Sequence, residues 1–163
     1  MTFAPLACGL LALSAAGLAA ACLRASPVLI INESASLPKG VYRLTGEPPA
    51  LGAIIAFQPP PEGRRYLARL GAGPHARLLK RVVATEGDVA CRTGGRLTWP
   101  RGSALALAQD RRGRDLPQWQ GCHRLGAGEV LVLGDTPLSF DSRYLGPVQA
   151  DEVLGGYREV WRW

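Results

Sequence analysis

Arg77-Leu78-Leu79-Lys80-Arg81-Val82-Val83-Ala84 is the stretch on which the reading of this chain turns. Rich in aliphatic residues and closed by a Glu86-Gly87-Asp88 turn, it predicts a β-strand. Side chains alternate across a strand, so Lys80 shares a face with Leu78, Val82 and Ala84, while Arg77, Leu79, Arg81 and Val83 take the other. A lysine held among aliphatic neighbours loses hydration, and its pKa falls. That would let it act as a general base, which Arg81 cannot do because a guanidinium stays protonated. Taken alone, Lys80 would read as an edge-strand residue whose ammonium reaches out to water.

The surrounding segments have a similar character. Residues 27–32, 40–44, 51–57, 129–133 and 155–163 read as strands, with Tyr157, Glu159, Trp161 and Trp163 on one face of the last. Pro59-Pro60-Pro61-Glu62-Gly63 reads as a surface loop, and residues 66–74 fit neither template clearly. Arginine-rich turns within residues 91–122 suggest a peripheral β-insert. The expected fold is mostly β, with little helix beyond the N-terminal segment.

At 163 residues there is room for one membrane segment and one domain. Phe3 to Leu23 carries no charge and is long enough to span a bilayer. Residues 1–25 are therefore expected to be a transmembrane anchor or a cleaved signal segment, with 26–163 as the catalytic domain. Ala19-Ala20-Ala21 would suit cleavage, but no Lys or Arg precedes the apolar run, which favours the anchor. The net charge of +6 fits a basic solvated surface near anionic lipid headgroups. Scattered arginines, without a basic helix or zinc-finger spacing, argue against a nucleic-acid partner. Cys8 and Cys22 are apolar filler in the N-terminal stretch. Cys91 and Cys122 are too far apart for a paired metal motif, and in an oxidising compartment a disulfide between them is the economical reading. No metal site or cofactor is expected.

Ser34-Ala35-Ser36-Leu37-Pro38-Lys39-Gly40-Val41-Tyr42 supplies a candidate nucleophile, Ser36. Pro38 restricts the backbone and Gly40 permits a tight bend, which would present the Ser36 hydroxyl at the rim of a cleft. The Ser36 N–H and the Ser34 hydroxyl are candidate donors to a developing oxyanion. A serine hydroxyl needs a base, and His75 and His123 lie in loop segments without the setting of a nucleophile elbow. On its own the serine segment is an ordinary loop; Lys80 makes it a candidate dyad.

Three motifs in order carry a resemblance: Ser34-x-Ser36-Leu-Pro-x-Gly; Leu79-Lys80-Arg81-Val82-Val83 with Gly87-Asp88; and Gly134-Asp135 with Ser139-x-Asp141-Ser142-Arg143-Tyr144-x-Gly146. Together they resemble the type I signal peptidase family (peptidase family S26), and within it the TraF-type peptidases of conjugative transfer. Leu116-Pro117-x-Trp119-x-Gly121-Cys122 and Phe140 to Pro147 belong to the same likeness. The resemblance implies an antiparallel β catalytic domain facing the periplasm from an inner-membrane anchor. It implies Ser36 as nucleophile, Lys80 as base, Ser34 in the oxyanion hole, and Ser139 hydrogen-bonded to the Lys80 amine. Asp141 and Arg143 would pair to hold their loop. Ala53 and Thr136 depart from the housekeeping pattern of aspartate and asparagine, which favours the conjugation branch.

The expected function is maturation of a pilin-like precursor for a conjugative type IV secretion apparatus, by cleavage or by cyclisation. The expected partners are a pilin or other exported precursor, the inner membrane and other transfer proteins. One alternative is a general signal peptidase; another, of a different class, is a non-catalytic periplasmic scaffold. A self-cleaving repressor shares the chemistry, but the apolar N-terminus and the lack of a DNA-binding helix pair argue against it.

Overall fold

The computed structural model describes residues 26–163, so the expected anchor or signal segment lies outside the described residues. No helix among the described residues is long and apolar enough to cross a membrane. Ten strands make up most of the regular structure: β1 (Leu29–Asn32), β2 (Gly40–Leu44), β3 (Ile54–Phe57), β4 (Leu78–Ala84), β5 (Val89–Thr93), β6 (Arg96–Trp99), β7 (Gly102–Leu105), β8 (Gly121–Arg124), β9 (Leu131–Leu133) and β10 (Val153–Arg162). They form a six-stranded sheet ordered β1-β2-β10-β3-β4-β9 and a four-stranded sheet ordered β7-β6-β5-β8. Every pairing is antiparallel. The second sheet takes in Val89 to Arg124, two residues more at each end than the insert expected at 91–122. Cys91 lies directly opposite Cys122 on β5 and β8, and the two are disulfide-bonded.

Aliphatic and aromatic side chains cover both faces of the six-stranded sheet. Ile55, Phe57, Val82 and Val132 pack on one face, and Tyr42, Ala56, Leu79 and Tyr157 on the other. Ala84, Ala90, Leu97, Leu125 and Leu131 join the two sheets.

Four expectations need correcting. The proline run is not a loop throughout: helix α1 (Pro61–Arg69) begins at its third proline. The first helical position needs no N–H donor, so proline opens a helix there as readily as it breaks one elsewhere. Gly63 lets this helix lie against α2 (Ser142–Leu145), because a Cβ at Gly63 would come 2.6 Å from Leu145 Cδ2.

The strict alternation along β4 also fails. A bulge between Val82 and Ala84 pairs Ala84 with Leu131, moving Ala84 to the opposite face from Lys80. Leu78, Lys80 and Val82 remain together, opposite Phe57, Ile55 and Val132 respectively.

A second bulge, between Glu159 and Trp161, splits the predicted face of β10. Tyr157 and Glu159 sit opposite Leu44 and Tyr42, whereas Trp161 sits opposite Val41, on the other side. The same irregularity explains Gly40. Its φ is not positive, and it makes no left-handed bend. Glycine is required because a Cβ would fall 2.0 Å from the Trp161 carbonyl oxygen.

Candidate active site

β4 carries Lys80 into the interior, where it is 3% exposed. β1 ends at Asn32, and the connection from there to β2 brings Ser36 against the lysine. Lys80 Nζ donates to Ser36 Oγ at 2.7 Å. Burial pushes the Lys80 ammonium down to about 8, against an upward pull from Asp141; Arg143 lowers it further and Asp135 raises it. Near neutral pH the amine is therefore still largely protonated, and it becomes a free base about one pH unit higher.

The Ser34 and Ser36 hydroxyl oxygens are 2.7 Å apart, and Ser34 Oγ donates to Asn32 Oδ1 at 2.7 Å. An amide oxygen only accepts, so the proton order is set. Ser34 gives its proton to Asn32, Ser36 gives its own to Ser34, and the lysine gives one to Ser36. The Ser36 N–H has no backbone acceptor among the described residues.

Sequence reasoning missed Asn32. Its Nδ2 faces the carbonyls of Ser34, Leu37 and Pro38 at 3.0, 3.1 and 3.0 Å, while Oδ1 accepts from the Ser34 N–H at 3.3 Å. This network fixes which end of the amide is which. Tyr42 Oη also donates to the Pro38 carbonyl, at 2.7 Å. The available signal was an asparagine at a strand end just before a Ser-x-Ser turn, a residue type that bonds nearby backbone.

The Gly134–Asp141 segment packs against the same serine loop. Asp135 N–H donates to the Ser36 carbonyl at 2.6 Å. The Asp135 carboxylate is gripped by Arg81, Nε to Oδ1 at 3.1 Å and Nη2 to Oδ2 at 3.0 Å. Arg81, next to the candidate base, thus steadies the turn that holds the candidate nucleophile. Asp141 accepts from the Gly134 and Arg143 N–H groups at 2.9 and 3.1 Å. It meets Arg143 Nη2 at 3.2 Å in an almost fully buried ion pair. Burial pushes the Asp141 carboxyl up, and Arg143 with these N–H donors opposes it. Arg143 also binds the carbonyls of Gly134, Thr136 and Pro137, closing the loop into a fixed unit.

Ser139 does not make the expected hydrogen bond to Lys80. Its buried hydroxyl makes no hydrogen bond of ordinary geometry, but it lies close enough to Asp141 to help hold that carboxyl down, while Ser139 and Lys80 line the same cleft. Its side chain is packed over Gly134, where a Cβ would lie 2.2 Å from Ser139 Oγ and 2.8 Å from the Ser36 carbonyl oxygen. The cleft itself encloses about 710 Å³ and runs from Ser34, Ser36 and Lys80 to the segment Leu107–Leu116. No cluster of metal-ligating side chains occurs among the described residues. His123 instead pairs with Glu129 at 2.7 Å, and neither residue lines the cleft.

The model of the signal peptidase, peptidase S26 family matches residues 3–163. This chain belongs to that family. A plasmid transfer protein TraF of Escherichia coli is 35% identical over 147 residues, covering 82% of each chain. A second Escherichia coli plasmid transfer protein TraF is 33% identical over 148 residues, again with 82% of each covered. A probable conjugal transfer protein TraF of Sinorhizobium fredii is 32% identical, covering 80% of this chain and 75% of that one. The crystal structure of a signal peptidase I from Enterococcus faecalis overlays 69% of this chain and 98% of its own, at 23% identity and a TM-score of 0.40. So loose an overlay decides nothing about the site.

Proposed function

We propose that this S26 chain is a Ser/Lys endopeptidase that matures a pilin-like precursor for conjugative transfer. The observation that carries the reading is the 2.7 Å contact between Ser36 Oγ and the buried Lys80 Nζ, whose pKa is brought down to about 8. Once Lys80 is neutral, the Ser36 hydroxyl turns from Ser34 to the amine. Ser36 Oγ bonds to the scissile carbonyl carbon as its proton passes to Lys80. The oxyanion is met by the Ser36 N–H and by Ser34, whose hydroxyl leaves Asn32 for it. The carbon–nitrogen bond then breaks, and Lys80 returns the proton to the leaving amine. Water releases the acyl group, or an amine of the substrate does so and yields a cyclic product. In this reading the buried Ser139 hydroxyl orients the neutral Lys80 amine, and Asp141 with Arg143 holds the loop that presents it.

The names of the TraF relatives support the link to conjugation. The Cys91–Cys122 disulfide supports a domain facing an oxidising compartment. With the apolar stretch Phe3 to Leu23, that fits an inner-membrane anchor and a periplasmic catalytic domain.

The test is co-expression with a pilin-like precursor from a conjugative transfer system, followed by mass measurement of the product. Ser36→Ala and Lys80→Ala should each leave the precursor uncut, and a cyclic product should weigh one water less than the trimmed chain. Normal processing in either variant would overturn the dyad.

A further inference from the structure

Arg111-Arg112-Gly113-Arg114 is the one strongly charged motif that the dyad chemistry leaves unexplained. It lies in the connection between β7 and β8, which folds back so that all three arginines line the cleft holding Ser36 and Lys80. The fold-back is a fixed turn. Asp110 Oδ1 accepts from the Arg112 and Arg114 N–H groups at 2.8 and 3.0 Å. Asp110 Oδ2 accepts from Arg114 Nε at 2.7 Å and from Tyr66 Oη on α1 at 2.9 Å. The backbone closes with Asp110 N–H to the Arg114 carbonyl at 2.9 Å and Gly113 N–H to the Asp110 carbonyl at 3.0 Å. Tyr66 is held in turn by Phe140, with ring centroids 4.7 Å apart.

These bonds use up the charges of Asp110 and Arg114. Asp110 is the sole carboxylate among the lining residues. Arg111 and Arg112 enter no ion pair among the described residues. Two unmatched guanidiniums are therefore presented by a rigid turn at a cleft whose walls are mostly apolar, with Leu78, Leu107 and Leu138 among them. Low-dielectric walls focus the field of such charges into the cleft.

We propose that Arg111 and Arg112 form an acid-recognising subsite, selecting extended peptide substrates with an aspartate, glutamate or terminal carboxylate within a few residues of the bond that Ser36 attacks. This rests on the peptidase reading of the cleft. A peptide is favoured over a lipid headgroup because the two arginines line the same cleft as Ser36 instead of a separate outer surface. Guanidinium forks match carboxylates in geometry as well as charge.

The test uses the full-length Ser36→Ala protein in detergent micelles with fluorescent alanine- and leucine-rich decapeptides. A single glutamate, or a glutamine control, is moved through the positions, and affinity is read by anisotropy. At about 50 mM salt, glutamate at one or two adjacent positions should bind roughly five- to tenfold tighter than glutamine, with the gap closing near about 0.5 M salt. Arg111→Gln/Arg112→Gln should erase that preference while leaving the affinity for the glutamine peptides and the melting temperature unchanged. Equal binding of glutamate and glutamine peptides at every position would overturn the subsite, as would no binding of either. So would a preference that survives the double variant, or a double variant that loses only its binding to anionic phosphatidylglycerol vesicles. Parallel incubations with Ser36 intact separate the two readings. Ser36-dependent cleavage without a glutamate preference sinks only the subsite, and a glutamate preference without Ser36-dependent cleavage sinks only the peptidase.

Discussion

Asn32 never needs to meet the substrate, yet its amide contacts the backbone or side chain of Ser34, Leu37 and Pro38, on both sides of Ser36. It is a positioning residue, and its effect should appear in the turnover step. Asn32→Ala leaves several backbone groups without their partner, which should cost roughly 1–3 kcal/mol of stability. The freed loop should lower kcat by at least about tenfold with KM little changed, because a displacement of about an ångström at a nucleophile is enough. Asn32→Asp keeps the shape but replaces a donor by an acceptor facing three carbonyls, so its kcat should fall at least as far. Steady-state kinetics on purified variants check this, and a change confined to KM would contradict the positioning role.

Two loops meet at the Ser36–Lys80 contact, the Asn32–Gly40 connection between β1 and β2 and the Gly134–Asp141 segment after β9. Their contact is backbone on backbone: Asp135 N–H on the Ser36 carbonyl, with Gly134 beneath Ser139. A methyl group at Gly134 has no space, since its neighbours on that side include the Ser36 carbonyl itself. Gly134→Ala should therefore force the loops apart, lowering kcat roughly ten- to hundredfold and stability by about 1–3 kcal/mol. Thermal melts alongside the kinetics separate displacement from unfolding; a fully active, unshifted Gly134→Ala protein would show that the contact is dispensable. The four-stranded sheet is coupled to the same region. Arg92, 1% exposed, donates from Nε to the Arg143 carbonyl at 3.1 Å, and Trp119 Nε1 donates to the Ser142 carbonyl at 2.9 Å. The insert thus braces α2 and the loop before it.

At the scale of the whole molecule, the fold keeps an ionisable amine inside it. A fall in the Lys80 pKa from 10.5 to about 8 corresponds to roughly 3 kcal/mol. Because the folded value is the lower one, the unfolded chain binds more protons between pH 8 and 10.5, and stability rises with pH across that window. Below pH 8 the full penalty applies and the curve is flat with respect to this group. Lys80→Met should remove the rise, which urea unfolding at several pH values would measure. Activity shares the sign: kcat/KM should climb with pH around a midpoint near 8, as the amine becomes a base. A stability that falls over that window, or a rise that persists in Lys80→Met, would contradict the buried-amine account.

Local patterning alone determined the β character, the placement of Lys80 with Leu78 and Val82 on one strand face, and the choice of Ser36 and Lys80 as the residues to bring together. These follow from alternation and from functional-group chemistry, which the linear order carries. It did not determine where alternation breaks. The bulges at Val83 and Val160, which move Ala84 and Trp161 across the sheet, arise from pairing with β9 and β2. The helix at Pro61 is stabilised by packing against α2 that lies about eighty residues away in the chain. Asn32 looks ordinary in the sequence, and Arg81 and Gly134 stand in motifs without their contacts being legible, because the partners of all three are backbone groups or side chains brought close only by folding. The tertiary structure alone decided the 2.7 Å contact between Ser36 and Lys80 and the burial that brings the lysine pKa down to about 8. Both depend on how closely separate strands and loops approach, and on how little water remains between them.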